Sequence, residues 1–244
     1  MKVSVICVYN NQIAYEKILC VSLNEQNIEI ELIGINNIDK KYKSAAEALN
    51  YGAEKATSEI LIFSHQDIFI KSNNALAYFS ETIEQLPSGV IVGTQGVREK
   101  SNKYISNITF GNKFIKEIST EFADRFYEVS CVDEGFFGMK KSTWKTHHFD
   151  EKLCDNWHLY CVEMCLWNRK NGGSVYVCPI QLHHFSMGII SLGYMKNLKL
   201  LCKVYRKDFK YIWTTCYKVK TNVIYINLLY FFWIVNRIVR GKLQ

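Results

Sequence analysis

Proline is almost absent, with two residues in 244. No low-complexity run and no internal repeat is present either. Long linkers and repeat arrays are thereby excluded, and the length suits one large domain, or one domain with an appendage. Paired cysteine motifs are missing too. The nine cysteines include no C-x-x-C, and no close histidine pair completes a zinc pattern around Cys161 and Cys165. Reduced, mostly buried thiols of a cytosolic protein are the expectation. The N-terminal VSVICVY lacks the longer apolar core and small-residue cleavage site of a signal peptide, so the chain is expected to begin inside the cell. The patterns G-x-G-x-x-G, G-x-x-x-x-G-K-[ST] and G-x-S-x-G do not occur. Their absence excludes a dinucleotide fingerprint, a P-loop and a hydrolase nucleophile elbow. No glycine precedes Gly34, so the Gly-rich N-terminal loop of a nucleotidyltransferase has no counterpart.

What remains is an ordinary globular composition, 48% apolar and 22% charged, which can bury a core. Charge is unevenly placed. Residues 196–244 hold eleven Lys/Arg against one acid, Asp208, whereas the first 195 hold nineteen against twenty-two. A slightly acidic body with a basic tail points to an anionic partner surface. No RNA- or DNA-binding module accompanies it, and an acidic body fits nucleic acid poorly.

The stretch from Lys43 to Ile70 organises the chain. Ser44 and Glu47 form an S-x-x-E capping box. Ala45, Ala48, Leu49, Gly52 and Ala56 recur at helical spacing and are small, which lets the helix lie close on a sheet. Ile60 to Phe63 is apolar without alternation, as in a strand covered on both faces. His65-Gln66-Asp67 follows at the strand's end, where ligands sit in an open parallel sheet. An imidazole and a carboxylate two residues apart there can share a divalent cation. A solvated turn is the bland alternative, and His-x-Asp alone is a weak signal.

Strands are predicted at Val3–Val8, Ile28–Ile35, Ile60–Phe63, Val90–Val92, Tyr127–Val132, Phe136–Met139 and Ser174–Cys178. Helices are predicted at Ala14–Asn24, after a cap at Ser72, and at Trp157–Asn171. Residues 98–125 lose the rhythm and are expected to form a loop or short helices over an active-site mouth. Alternating strands and helices with short connections imply a mostly parallel α/β sheet. Polar clusters recur at strand ends: Asn10-Asn11, Asn36-Asn37, His65–Asp67, Asp133-Glu134 and His183-His184.

On these residues the chain resembles the nucleotide-sugar glycosyltransferases of the GT-A fold, specifically glycosyltransferase family 2. The first strand with Tyr9-Asn10, the Asn50-Tyr51-Gly52 helix, the strand into Asp67 and the run FDEKLCDNWHLYCVEMCLWNRKNGGSVYVCPIQLHHFS carry the likeness, over residues 1 to about 190. His65-Gln66-Asp67 stands where the family has Asp-x-Asp, and the match is closest to a His-Gln-Asp subgroup. Asp155, Trp157 and His158 occupy the neighbourhood of the family's Glu-Asp pair.

The resemblance implies a GT-A domain over 1–190 with a basic, aromatic, helical extension over 191–244. It implies a metal-assisted, inverting enzyme that moves a sugar from a nucleoside diphosphate-sugar, UDP-sugars favoured, to a hydroxyl of a saccharide or lipid-linked saccharide. The implied donor bed is Val8, Tyr9, Asn10, Asn37, Asp39, Asn50, His65, Gln66 and Asp67. A divalent cation, Mn2+ or Mg2+, would sit on Asp67 with His65 and His184, His183 being the alternate. Asp133, Glu134 and Trp157 would hold the sugar or acceptor. Asp155 ranks first as catalytic base and His158 second. Tyr160 and Trp167 are further ring-stacking candidates, though a core role is the simpler reading for Trp167. A non-catalytic nucleotide-sugar or glycan binder on the same fold is the alternative class, favoured by the His-for-Asp change. In the extension, the fourteen residues 222–235 are mostly apolar. A helical bilayer span needs about twenty. A segment lying in the headgroups of an anionic membrane, on the cytosolic face, is expected instead.

Overall fold

The structure, a computed structural model, describes residues 1–99, 103–111, 123–186, 188 and 190–240. It opens with β1 (Lys2–Tyr9), followed by a helix that begins as α1 (Gln12–Ala14), widens into a π segment (Tyr15–Cys20) and finishes as α2 (Val21–Asn24). Next come β2 (Glu29–Asn36), α3 (Ala45–Lys55), β3 (Ile60–Ser64), β4 (Ile68–Ile70), α4 (Ala75–Gln85) and β5 (Val90–Gly93). Shorter strands follow: β6 (Gln95–Arg98), β7 (Lys103–Ser106), β8 (Ile108–Phe110), β9 (Tyr127–Glu128), β10 (Cys131–Val132) and β11 (Phe136–Lys140). The body ends with α5 (Lys141–Thr146), α6 (Tyr160–Lys170), β12 (Ser174–Val177) and β13 (Leu182–His184). Beyond it lie α7 (Leu192–Val204), the hairpin β14 (Tyr211–Trp213) and β15 (Lys218–Lys220), and α8 (Val223–Val239).

Seven strands make the central sheet, in the order β2-β1-β3-β11-β5-β12-β9. β2, β1 and β3 are parallel, β5 and β12 are parallel, and β11 runs antiparallel between the two groups. The expected mostly parallel α/β sheet is therefore present. Pleating divides each central strand between two cores. Ile6, Leu61 and Phe63 face the side covered by α3 and α6, while Val3, Val5, Cys7, Ile60 and Ile62 face the side covered by α4. This two-sided burial is why Ile60–Phe63 shows no polar alternation.

α3 forms as its sequence predicts. Ser44 Oγ accepts from the Glu47 N–H at 3.1 Å, and the Glu47 carboxylate reaches back to the Lys43 N–H at 2.9 Å. Gly52 lets the helix press on the sheet, because a Cβ there would stand 2.5 Å from Ile6 Cγ2 and 2.6 Å from Ile35 Cδ1.

Four expectations shift. The cap expected at Ser72 falls to Asn74. The predicted strand 127–132 is two strands, because Val129 and Ser130 turn their N–H groups to Val175 and Val97 on different sheets. The helix expected from Trp157 begins at Tyr160, since Leu159 adopts a left-handed φ of 68° that a right-handed helix does not continue. Within 98–125, β7 and β8 replace the expected irregular cover, and residues 112–122 of that stretch lie outside the described residues.

The core on the α3–α6 side runs on into the C-terminal part through Tyr194, Leu198, Leu201, Ile212, Val219 and Ile226. α7 and the hairpin are thus packed on the body, whereas α8 leaves a broad apolar face in solvent.

Candidate active site

Two sheets build the site. β3 of the central sheet delivers His65, and β4 starts immediately after Asp67. β13 pairs antiparallel with β4, His184 opposite Ile68, so the register carries the His184 ring to Asp67. The Phe185 N–H bonds to the Asp67 carbonyl at 3.1 Å and the Ser186 N–H to Asp67 Oδ2 at 3.0 Å, which locks the two segments together. Strand alternation sends His183 the other way. Its nitrogens meet Thr109 Oγ1 at 2.7 Å and the Gly111 carbonyl at 2.9 Å, so it braces β8 rather than joining the cluster.

His65, Asp67 and His184 converge, with one ligand atom from each lying within 4.8 Å of the other two. His184 Nε2 stands 3.5 Å from His65 Nδ1, 3.3 Å from Asp67 Oδ1 and 3.3 Å from Ser186 Oγ. One imidazole nitrogen cannot hydrogen-bond well to three such atoms, and all three distances are long for a hydrogen bond. Donors that share an ion at about 2.1 Å lie about 3 Å apart at right angles, which this cluster approaches. Carboxylate suits manganese or magnesium and imidazole suits transition metals, so of these two ions the mixed donor set fits manganese better. Burial first, and the neighbouring His184 second, push His65 down to about 4, so the ring is neutral and able to ligate. For Asp67, burial works upward, but the hydrogen bonds and charge of its His184 and Ser186 neighbours outweigh it and hold the carboxyl well below the usual range.

A cavity of about 340 Å³ opens beside this cluster. His65 and His184 form one end, and Asp133, Glu134 and Gln95 one wall. Trp157, His158, Leu159 and Val162 line the approach to α6, while Ile190, Tyr194, Thr214, Thr215 and Cys216 come from the C-terminal part. A larger, shallower groove of about 720 Å³ lies between Arg206–Lys210 and Lys220–Ile224, but no histidine and only one carboxylate, Asp208, line it.

Two polar atoms of lining residues, Gln95 Oε1 and Glu134 Oε1, are buried without a hydrogen-bond partner. Each such orphan costs about 1–3 kcal/mol. Burial and the adjacent Asp133 push the Glu134 carboxyl well above its ordinary value, against the pull of the Leu159 and Cys161 N–H groups at the start of α6. Burial thus favours the protonated form of Glu134. Asp133 is held by the Gly135 N–H at 2.9 Å and the Thr215 hydroxyl at 2.8 Å. Burial lowers His158, which leaves it neutral at neutral pH, and its ring packs edge-on to Tyr194 at 5.6 Å. Trp157 is 42% exposed at the rim. The Tyr160 hydroxyl lies 3.4 Å from His65 Nε2.

Asp155 and His158, the first- and second-ranked candidate bases, are placed differently. Asp155 is exposed, with Oδ1 3.3 Å from Asn156 Nδ2, and is not part of the cavity wall that His158 lines. Of the expected donor residues, Val8, Tyr9 and Asn10 stand at the end of β1 and Asn37 and Asp39 just beyond β2, with Tyr9 in register with Asn36. Gln66 joins the first group to the cation cluster: its Oε1 accepts from the Asn10 and Asn11 N–H groups at 3.0 and 2.9 Å, and its Nε2 donates to Asn10 Oδ1 at 2.9 Å. Tyr9 stacks on Tyr15 at 4.2 Å, and Asp39 is exposed in a turn.

Asn37 and Asn50 are engaged elsewhere. The Asn37 amide holds both backbone groups of Tyr42. Asn50 bonds to both backbone groups of Phe149, to Glu151 and to the Trp144 indole. Trp167 stacks on His147 at 4.3 Å, a packing role. Sequence reasoning missed Gln95, Tyr194 and Thr214–Cys216. Gln95 had one signal, its place at the end of the β5 strand. The others had none, because their approach depends on how the extension folds back.

This architecture, a mostly parallel central sheet flanked by helices, is that of the GT-A class, and here a His–Asp–His cluster lies beyond β3 with a cavity beside it. Residues 4–205 match the family described as "Glycosyltransferase like family", and the chain belongs to that family. No curated protein sequence matches it significantly. Among solved structures, the fold is similar to that of TarS 1–349 from S. aureus in complex with UDP-GlcNAc, at 14% identity and a TM-score of 0.60, over 85% of this chain and 67% of that one. GalNAc-T7 with UDP, GalNAc and Mn2+ gives 13% identity and 0.58, over 82% of this chain and 48% of that one. The mannosyltransferase PcManGT from Pyrobaculum calidifontis with GDP-Man and Mn2+ gives 13% and 0.56, over 84% and 63%. The chain thus spans about half the length of GalNAc-T7.

Proposed function

We propose that the protein transfers a sugar, with inversion, from a nucleoside diphosphate-sugar to a hydroxyl of a saccharide or lipid-linked saccharide, at the cytosolic face of a membrane. The observation that carries this reading is the His65–Asp67–His184 cluster set beside a cavity that Asp133, Glu134, Trp157 and His158 line. UDP is the favoured nucleotide, because UDP is bound in GalNAc-T7 and UDP-GlcNAc in TarS, although PcManGT carries GDP-Man.

The diphosphate lies along the ends of β1 and β3, and the sugar enters the cavity. Asp67, His65 and His184 would hold a Mn2+ or Mg2+ ion, which would supply charge neutralisation for the departing diphosphate. Asp133 and the neutral Glu134 hold hydroxyls, the one accepting and the other able to donate. Trp157 offers its exposed face to a sugar ring. His158, neutral and on the approach to α6, accepts the proton of the attacking hydroxyl.

A panel of nucleotide sugars scored by thermal shift, with and without manganese, tests the reading. The expected result is a metal-dependent rise in Tm with a UDP-sugar that Asp67→Ala abolishes while its own unliganded fold persists. A panel without any shift would sink it. Slow metal-dependent hydrolysis of the donor by the wild type separates a transferase from a binder.

A further inference from the structure

α8 is apolar around most of its circumference. Ile226, Leu229, Tyr230 and Trp233 pack it onto the body. The opposite side leaves Ile224 72%, Leu228 51%, Phe231 59%, Phe232 62% and Ile238 61% exposed. These positions recur at three- and four-residue spacing, so they form one stripe along a helix of 17 residues. A helix apolar on both sides is ordinarily covered on both. Among the described residues no helix is long and apolar enough to cross a membrane.

Charge decides between the occupants. α8 contains no acidic residue, and the segment 196–244 has Asp208 as its single acid against eleven Lys/Arg. Lys196, Lys203, Lys210, Lys218, Lys220 and Arg240 are exposed. A second copy docked through the same face would set two such cationic segments against each other. A leaflet of anionic lipid accepts the apolar stripe and the cations together. α8 is also tied to the site. Arg237 donates from Nη2 to the Ile190 carbonyl at 2.6 Å, with its guanidinium over Trp233, and Ile190 lines the cavity a few residues beyond His184.

We propose that α8 is an in-plane anchor, which lays the Ile224–Ile238 stripe into an anionic bilayer surface and thereby holds the cavity against the membrane. Only the identity of the acceptor rests on the transferase reading; the docking itself does not. Flotation of the full chain is the test, with vesicles of phosphatidylcholine mixed with phosphatidylglycerol and with phosphatidylcholine alone. The wild type is expected to float with the anionic vesicles and to be released by salt. Phe231→Glu with Phe232→Glu, both exposed, should lower the bound fraction about tenfold or more. Lys220→Gln with Arg240→Gln should weaken only the anionic binding. Unchanged melting curves and unchanged metal-dependent UDP binding in all variants would exclude misfolding. A wild type that stays unbound, a phenylalanine double variant that floats as well as the wild type, or a wild-type dimer that the double variant converts to monomer would each overturn the proposal. Floating protein that binds no UDP would keep the anchor and remove the transferase reading.

Discussion

His158 and Glu134 face one cavity with opposite proton demands. Burial lowers the imidazole, so its neutral form, the one that accepts a proton, persists as pH falls below the ordinary value of about 6.5. The rate of transfer should therefore hold from neutral pH downward and fall only on the acid side of that value. His158→Ala should lose about a hundredfold or more in transfer rate and lose the acid limb, with donor binding retained by calorimetry. Glu134 is driven the other way, toward its protonated form. Glu134→Gln, which is neutral and of the same shape, should keep most of the activity. Glu134→Ala should raise KM sharply, because it removes the group that meets a substrate hydroxyl. Equal losses from Gln and Ala would mean that the ionised carboxylate is the working form. The His65–Asp67 pair was legible in the sequence because both residues sit on one strand end. His184 was ranked above His183 by resemblance alone, and the register of β13 against β4 supplies the physical reason. The partners of Asn37 and Asn50 were not legible, because sequence shows that an amide is present, not which loop it serves.

At the scale of elements, the helix–strand pair α3–β3 was the most legible part. Its capping box, small residues and continuous apolar run each reflect a local cause. Gly52 makes that pair testable. Gly52→Ala places a methyl within contact of Ile6 and Ile35, and overpacking of this kind should cost about 1–3 kcal/mol, read as a lower urea midpoint at unchanged m-value. The split of 127–132 between β9 and β10 was illegible, because six residues of uniform strand character hide a turn made only by partners on two sheets. The late start of α6 was hidden in the same way, as a positive φ at Leu159 has no signature in a leucine.

For the whole molecule, composition foretold the charge asymmetry and the extension but not where the extension goes. It was expected as an appendage, and it supplies one side of the cavity. Tyr194 bonds to Thr214 at 2.8 Å, and Thr214 accepts the Cys216 and Tyr217 N–H groups, so the β14–β15 turn is held rigid where it meets the site. Thr215 then reaches Asp133. That single hydroxyl contact joins positions 82 apart in the chain. During synthesis, Asp133 leaves the ribosome long before its partner exists, and His65 waits longer still for His184. A nascent chain that has already closed its central sheet therefore still lacks the wall of its own cavity. The cavity is complete only once the hairpin has been made and has folded back onto the body.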